Sequence, residues 1–296
     1  VFVAPLEKGR LVQVTRKDGV RHRFARFMPD GKTVVMLSDE SGETEFHTAP
    51  ANGVGGEEIL TGDGKVLRFE GIPSPDGLYI AYTDKDFVLW LLDVKKKITK
   101  RIDSSQNFNF SNLAWSPDGK WLAYDATADN QFNIIKIYGL GSGTARQATS
   151  DRVDCYNPAW SADGKWLFFL SDRTFESAVR GPWGPRQPEP FFDRTTGIYM
   201  VSLMPGERSP FLPDDEAWLA GKESGAAAGG GKKNAEKKDK EAPEKKAVSV
   251  SIDFGGIMER VIAVPAGTGN FSGLSVNENT LFWTDRQTGL PDSRSL

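Results

Sequence analysis

The sequence predicts an all-β protein of repeated four-stranded sheets, and three observations carry that expectation. The first is a recurring turn. Trp115-Ser116-Pro117-Asp118-Gly119-Lys120-Trp121-Leu122-Ala123-Tyr124 returns as Trp160-Ser161-Ala162-Asp163-Gly164-Lys165-Trp166-Leu167-Phe168-Phe169. Looser copies are Phe27-Met28-Pro29-Asp30-Gly31-Lys32 and Pro73-Ser74-Pro75-Asp76-Gly77, and a degenerate one is Leu274-Ser275-Val276-Asn277-Glu278-Asn279. The second is regular spacing. Asp30, Asp76, Asp118 and Asp163 stand 42 to 46 residues apart, and a second acid closes each following strand, at Asp39, Asp84, Asp125, Asp172 and Asp285. The third is that each period holds four short segments of strand-like, aromatic-rich sequence. Repeats of about 40–50 residues with four strands each read as blades of a β-propeller. A β-sandwich, the main alternative, would not need the same turn at the same place in every repeat. The chain is expected to hold a partial ring, about four to five blades plus edge strands.

Each repeat reads as strand, tight turn, strand. Pro presets φ at the second turn position, Asp hydrogen-bonds the local backbone, and Gly tolerates φ > 0 where the next strand starts. In order, Val1 to Pro5 and Leu11 to Thr15 read as two strands joined by Glu7-Lys8-Gly9. The first full unit takes His22 to Met28, Thr33 to Ser38, Glu45 to Pro50 and Glu57 to Leu60. The second takes Leu67 to Ile72, Tyr79 to Thr83, Phe87 to Val94 and Ile98 to Ile102. The third takes Phe110 to Trp115, Trp121 to Asp125, Phe132 to Tyr138 and Ala145 to Ala148. The fourth opens with Tyr156 to Trp160 and Trp166 to Ser171, is interrupted by a Pro/Gly/aromatic insertion from Arg173 to Thr196, and resumes at Ile198 to Leu203. Gly221 to Ala247 is rich in Lys, Glu and Ala. With no apolar content to offset its ordering entropy, it is expected to be disordered. Structure returns at Val248 to Phe254 and Glu259 to Pro265, and a truncated fifth unit takes Ser272 to Val276 and Leu281 to Thr284. The expected organisation is propeller blades over 1–220, a disordered insert over 221–247 inside the fourth blade, and propeller again over 248–296. Both ends read as cut, so a closed ring would need more chain.

Bulk properties exclude several classes. A net charge of −3 gives no case for nucleic acid or an anionic membrane. No apolar run approaches the roughly 20 residues that cross a bilayer. The single Cys155 rules out an internal disulfide and a multi-Cys zinc site. It fits a reducing compartment, so the cytoplasm is the expected location, with the periplasm left open.

The usual catalytic signatures are missing. The two histidines, His22 and His47, sit in no nucleophile motif and read as structural or surface residues. There is no Gly-x-Ser-x-Gly elbow and no His-Glu-x-x-His. Gly31-Lys32-Thr33 ends like a phosphate loop, but Arg26 stands where its first Gly belongs. The repeated acids suit turn and strand-end hydrogen bonds better than a carboxylate cluster. The expectation is no catalytic residue, no cofactor and no metal in this chain. Four-stranded blades put the first-to-second and third-to-fourth turns on one face and the remaining loops on the other. Binding sits on loops held by a rigid scaffold. The second face is therefore the expected substrate face, and its candidate residues are Arg21, His22, Arg152, Arg173 and Arg286.

The Trp-Ser-Pro-Asp-Gly-Lys repeats resemble those of TolB, the prolyl oligopeptidase group and the tricorn proteases. The section after the fourth turn resembles the tricorn type: Ser171-Asp172-Arg173, Gly197-Ile198-Tyr199-Met200-Val201-Ser202-Leu203, Ser209-Pro210-Phe211-Leu212-Pro213, then Ile252-Asp253-Phe254-Gly255-Gly256-Ile257 and Asn270-Phe271-Ser272-Gly273-Leu274. That resemblance implies a propeller, the second of its parent, from a multidomain serine peptidase of the C-terminal-processing superfamily. It implies gating or channelling of peptide or unfolded polypeptide to a peptidase core elsewhere, with PDZ and peptidase domains as partners in the same parent chain, and homo-oligomerisation as a further arrangement. No catalytic residue carries over. The rival readings are a TolB-like interaction propeller without peptidase activity, and a hydrolase with acids around its axis.

Overall fold

The computed structural model describes residues 1–175, 192–213, 215, 248–288 and 294–295. The expected insert at 221–247 and most of the insertion after Arg173 lie outside the described residues. The chain divides into two compact units, residues 1–205 with 248–296, and residues 206–247. In the second unit, Arg208 donates to the carbonyls of Leu212 and Pro213 and pairs with Asp215 at 3.0 Å.

The first unit is antiparallel throughout. A hairpin of β1 (Phe2–Val3) and β2 (Val12–Gln13) precedes five sheets. Blade 1 is β3 (His22–Phe27), β4 (Thr33–Ser38), β5 (Glu45–Pro50) and β6 (Glu58–Ile59). Blade 2 is β7 (Ile72–Pro73), β8 (Tyr79–Thr83), β9 (Val88–Asp93) and β10 (Ile98–Ser104). Blade 3 is β11 (Ser111–Trp115), β12 (Trp121–Thr127), β13 (Asn133–Gly139) and β14 (Thr144–Gln147). Blade 4 is β15 (Cys155–Trp160), β16 (Trp166–Asp172), β17 (Thr196–Ser202) and β18 (Val261–Gly269). Blade 5 is β19 (Phe271–Asn277), β20 (Thr280–Arg286) and β21 (Arg294–Ser295). In every sheet the strands pair in chain order.

Two expectations need correction. The fifth unit is not limited to two strands, because β21 pairs with β20. Leu67 to Ile72 is not a continuous strand; Arg68 bridges Asp84, and pairing resumes only at Ile72. At Val248 to Phe254 structure returns without a strand, and Val248, Val250, Ile252 and Phe254 pack on the core by their side chains.

The core is a series of seams between sheets. Strand period 2 sends alternate residues to opposite faces. In β8, Ile80 and Tyr82 join Val35 and Leu37 of blade 1, while Ala81 joins Leu122 and Tyr124 of blade 3. In β12, Ala123 turns the other way and meets Leu167 and Phe169 of blade 4. In β16, Phe168 and Leu170 face Phe271 and Leu274 of blade 5. Met36 of blade 1 packs on Val14 and Val3 of the first hairpin. Both faces of a middle strand are covered. This is why runs such as Val34-Val35-Met36-Leu37 and Leu167-Phe168-Phe169-Leu170 are apolar without alternation.

The repeated turn has one construction. In each of the four full copies the glycine lies at positive φ: 63° at Gly31, 71° at Gly77, 68° at Gly119 and 71° at Gly164. Asp76, Asp118 and Asp163 accept from the backbone two residues on and from Ser74, Ser116 and Ser161, whose hydroxyls in turn accept from Tyr79, Trp121 and Trp166 N–H. Blade 1 has Met28 in place of that serine, and Thr33 Oγ1 donates to Asp30 instead, at 2.7 Å. The leading tryptophan joins neighbouring sheets. Trp115 Nε1 donates to Ile72 O at 2.9 Å, and Trp160 Nε1 donates to Ala114 O at 3.0 Å. Trp160→Phe keeps most of the apolar contact but leaves a carbonyl without its donor, an expected loss of about 1–3 kcal/mol. Urea unfolding is expected to show a lowered midpoint for Trp160→Phe and for Trp115→Phe; unchanged midpoints in both would contradict a joining role.

Candidate functional site

The first strand of every blade carries the same irregularity. Pairing advances by one residue between Arg23 and Arg26, between Ser111 and Ala114, between Tyr156 and Ala159, and between Ser272 and Ser275. Blade 2 does the same between Arg68 and Ile72. Four of these bulges hold a residue at positive φ: Phe24, Asn112, Asn157 and Gly273. Asn and Gly tolerate that conformation, whereas Phe24 holds it at a cost. A bulge bends its strand and leaves backbone groups outside the ladder.

A cavity of about 870 Å³ opens where these strands meet, and Arg26, Ile72, Asn112, Asn157 and Leu274 bring one wall residue from each blade. The first strands are thus innermost, around an axis. The wall mixes amides and hydroxyls with apolar side chains such as Leu113, Trp115 and Val276. Its charged residues, Arg26 and Glu70, neutralise each other: Arg26 Nε and Nη2 lie 2.7 and 2.6 Å from Glu70 Oε1.

Behind the wall a polar chain ties three blades. Asn112 Nδ2 donates to Asp125 Oδ2 at 2.5 Å, and Asn157 N donates to Asp125 Oδ1 at 3.0 Å. Asn157 then uses its own amide on the next bulge: Nδ2 donates to Leu274 O at 3.1 Å, and Oδ1 accepts from Leu274 N at 3.0 Å. Burial pushes the Asp125 carboxyl up to about 7, against the opposing pull of the hydrogen bonds from Asn112, Asn157 and Ser111.

The family profile of the tricorn protease second β-propeller domain matches residues 1–294. This chain belongs to the tricorn second-propeller family. Tricorn protease homolog 1 of Streptomyces coelicolor is 26% identical over 278 residues, covering 90% of this chain and 24% of that protein. Tricorn protease homolog of Saccharolobus solfataricus is 26% identical over 150 residues, covering 50% of this chain and 13% of that protein. The crystal structure of the tricorn protease superposes with a TM-score of 0.72 at 15% identity, over 96% of this chain and 25% of that one. The last likeness speaks for the fold. The chain spans about a quarter or less of the length of these relatives.

Within this tricorn propeller the five residues expected on the loop face have different fates. Arg21, Arg152 and Arg286 are exposed. Arg173 is half-buried; it donates to Ser171 Oγ and lies 4.4 Å from the Tyr199 ring centre. His22 is a correction. Its side chain is 5% exposed, because it opens β3 and turns onto the covered face of its sheet. Among the described residues, no hydrogen bond or ion pair links any two of the five.

The turn acids behave as expected, and so does most of the second series. Asp84 accepts from Asp86 N, Val88 N and Trp90 Nε1, while Asp285 accepts from Asn270 N. The bulges and the Asp125 chain were missed. A usable signal exists: Phe24, Asn112 and Asn157 stand six residues before the turn acids Asp30, Asp118 and Asp163. Asp125 makes a pH prediction. Its folded value of about 7 lies above the ordinary 3.8, so between them the folded state holds a proton that the unfolded chain releases. The stability it contributes is full below pH ~4 and falls as pH rises to about 7. Asp125→Asn keeps an acceptor for Asn157 N–H and cannot titrate. Unfolding free energies measured from pH 4 to 7 are expected to decline more steeply for the natural protein than for Asp125→Asn; parallel profiles would contradict the assignment.

Proposed function

We propose that this propeller is non-catalytic and gates or channels peptide substrates toward a peptidase core outside this chain. One observation carries the reading: the axial cavity is walled by the bulged first strands of five blades and has no net charge, because Arg26 and Glu70 cancel. Such a wall suits a neutral, extended polypeptide. Amides and hydroxyls meet its backbone, and Leu113, Trp115 and Val276 meet its apolar side chains. A strongly basic lining, which nucleic acid would need, is not what these residues offer. No histidine lines the cavity, so Ser111 and Ser275 have no base of that kind beside them.

The physical role is exclusion. A channel along this axis would admit an unfolded chain and reject a folded domain. Membership of the tricorn family supports PDZ and peptidase domains of the same parent as the partners, with homo-oligomeric assembly as a further arrangement; the proposed compartment is the cytoplasm, on the single Cys155.

The test uses the full-length parent protease. Ser275 lines the cavity from an exposed position, so Ser275→Trp narrows it with little expected cost to folding. The kcat/KM for a long unfolded peptide is expected to fall roughly tenfold, equal to about 1.4 kcal/mol of barrier, while a tripeptide substrate is cleaved as before. The unfolding midpoint serves as the folding control. Equal rates for both substrates, or equal losses in both, would overturn the proposal.

A further inference from the structure

The chain has two histidines, and both meet one carboxylate oxygen. His22 Nε2 lies 3.1 Å and His47 Nδ1 lies 3.0 Å from Glu57 Oε2. The sheet register brings them together. His22 pairs with Ser38, His47 with Met36 and with Ile59, and Glu57 stands two residues before Ile59. His22, His47 and Glu57 therefore share one face of blade 1, the face that Met36 presents to the first hairpin. The three side chains are 5%, 2% and 8% exposed. Glu40, in the loop after β4, forms a second triad that leaves out His22: one ligand atom each from Glu40, His47 and Glu57 lie within 4.8 Å of one another.

We infer that His47, Glu57 and Glu40 form a binding site for a divalent transition metal of the zinc type, with His22 as a positioning residue on Glu57. A tetrahedral zinc ion with bonds of about 2.0–2.2 Å holds its ligand atoms roughly 3.3 Å apart. The edge from His47 Nδ1 to Glu57 Oε2, 3.0 Å, comes within a few tenths of an ångström of that spacing. An imidazole with carboxylate oxygens suits zinc, whereas calcium and magnesium prefer all-oxygen shells. Three protein ligands leave the fourth position to water. In the hydrogen-bonded arrangement His47 carries its ring proton on Nδ1; on metal binding the neutral ring carries it on Nε2, so no proton need be released, and His22 holds Glu57 in place. Glu40 pairs with Lys17, and that exposed carboxylate leaves the ammonium to reach the metal. The ion then clips β5, the residue before β6 and the loop after β4 into one unit.

The test is a titration of the chelator-stripped protein with Co²⁺ and then Zn²⁺. One Co²⁺ per chain is expected, with the visible bands of tetrahedral coordination, displaced by Zn²⁺, and Zn²⁺ is expected to raise the unfolding temperature. Glu57→Gln and His47→Gln are expected to weaken Co²⁺ binding by more than about tenfold. Those side chains are buried, so Glu40→Gln supplies an independent reading: it leaves the metal-free unfolding temperature unchanged and still weakens binding. Absence of the Co²⁺ bands and of the Zn²⁺ shift would leave a hydrogen-bonded triad only and overturn the inference. Binding that survives both Glu40→Gln and Glu57→Gln would also overturn it.

Discussion

The sheets of blades 2, 3 and 4 are apolar on both faces, so each needs a neighbour on either side. That constraint organises everything else. Ile80 and Tyr82 serve one seam while Ala81 serves the next, and the same division repeats in β12 and β16. Burial of a large apolar side chain stabilises by about 1.5–3 kcal/mol, but the gain is realised only when the adjoining blade is in place. The first hairpin shows the same need in reduced form, since Val3 and Val14 cover Met36 and Ala49 on the outer face of blade 1.

Apolar seams do not fix how far one blade slides along the next. Directional bonds do that, and they concentrate on the innermost strands. Trp115 and Trp160 reach back to carbonyls one blade earlier. Asp125 and Asn157 reach forward to backbone groups one blade later. The Asp125 and Asn157 bonds take up backbone groups that the bulges release from the ladder, so there the irregularity of the first strands and the joining of blades are one device. The cavity follows from it. Bent strands cannot close on the axis, and the space left there carries amides and hydroxyls with a single neutralised ion pair.

Most of the architecture was legible because its signals are local. Asp-Gly turns, a fixed period and short aromatic strands each act within a few residues, and the blade boundaries followed. What was not legible is long-range. The sequence of Val248 to Phe254 signals structure but not its form: its side chains pack on blades 3 and 4 while Val250 N donates to Asp118 and Asp253 N to Leu203 O, outside any ladder. Leu67 to Ile72 lost its strand to the bulge and to Arg68, whose buried guanidinium pairs with Glu45 at 2.9 Å. His22 and His47 looked unremarkable because nothing in their spacing places either beside Glu57; only the register of β3 through β6 does. The five loop-face candidates were chosen by topology alone, and topology does not say which side chains turn inward.

The account rests on polar bonds between innermost strands, and hydrogen exchange reads them one amide at a time. The amides of Asn157 and Leu274 sit in bulges, outside their own ladders, and their acceptors are Asp125 and Asn157 of the preceding blade. Native-state exchange is expected to find both as strongly protected as the ladder amides of β12 and β16, and opening together with them. Exchange of these two amides at rates near those of exposed loops, with the middle strands still protected, would contradict the claim that blade is bonded to blade around the axis.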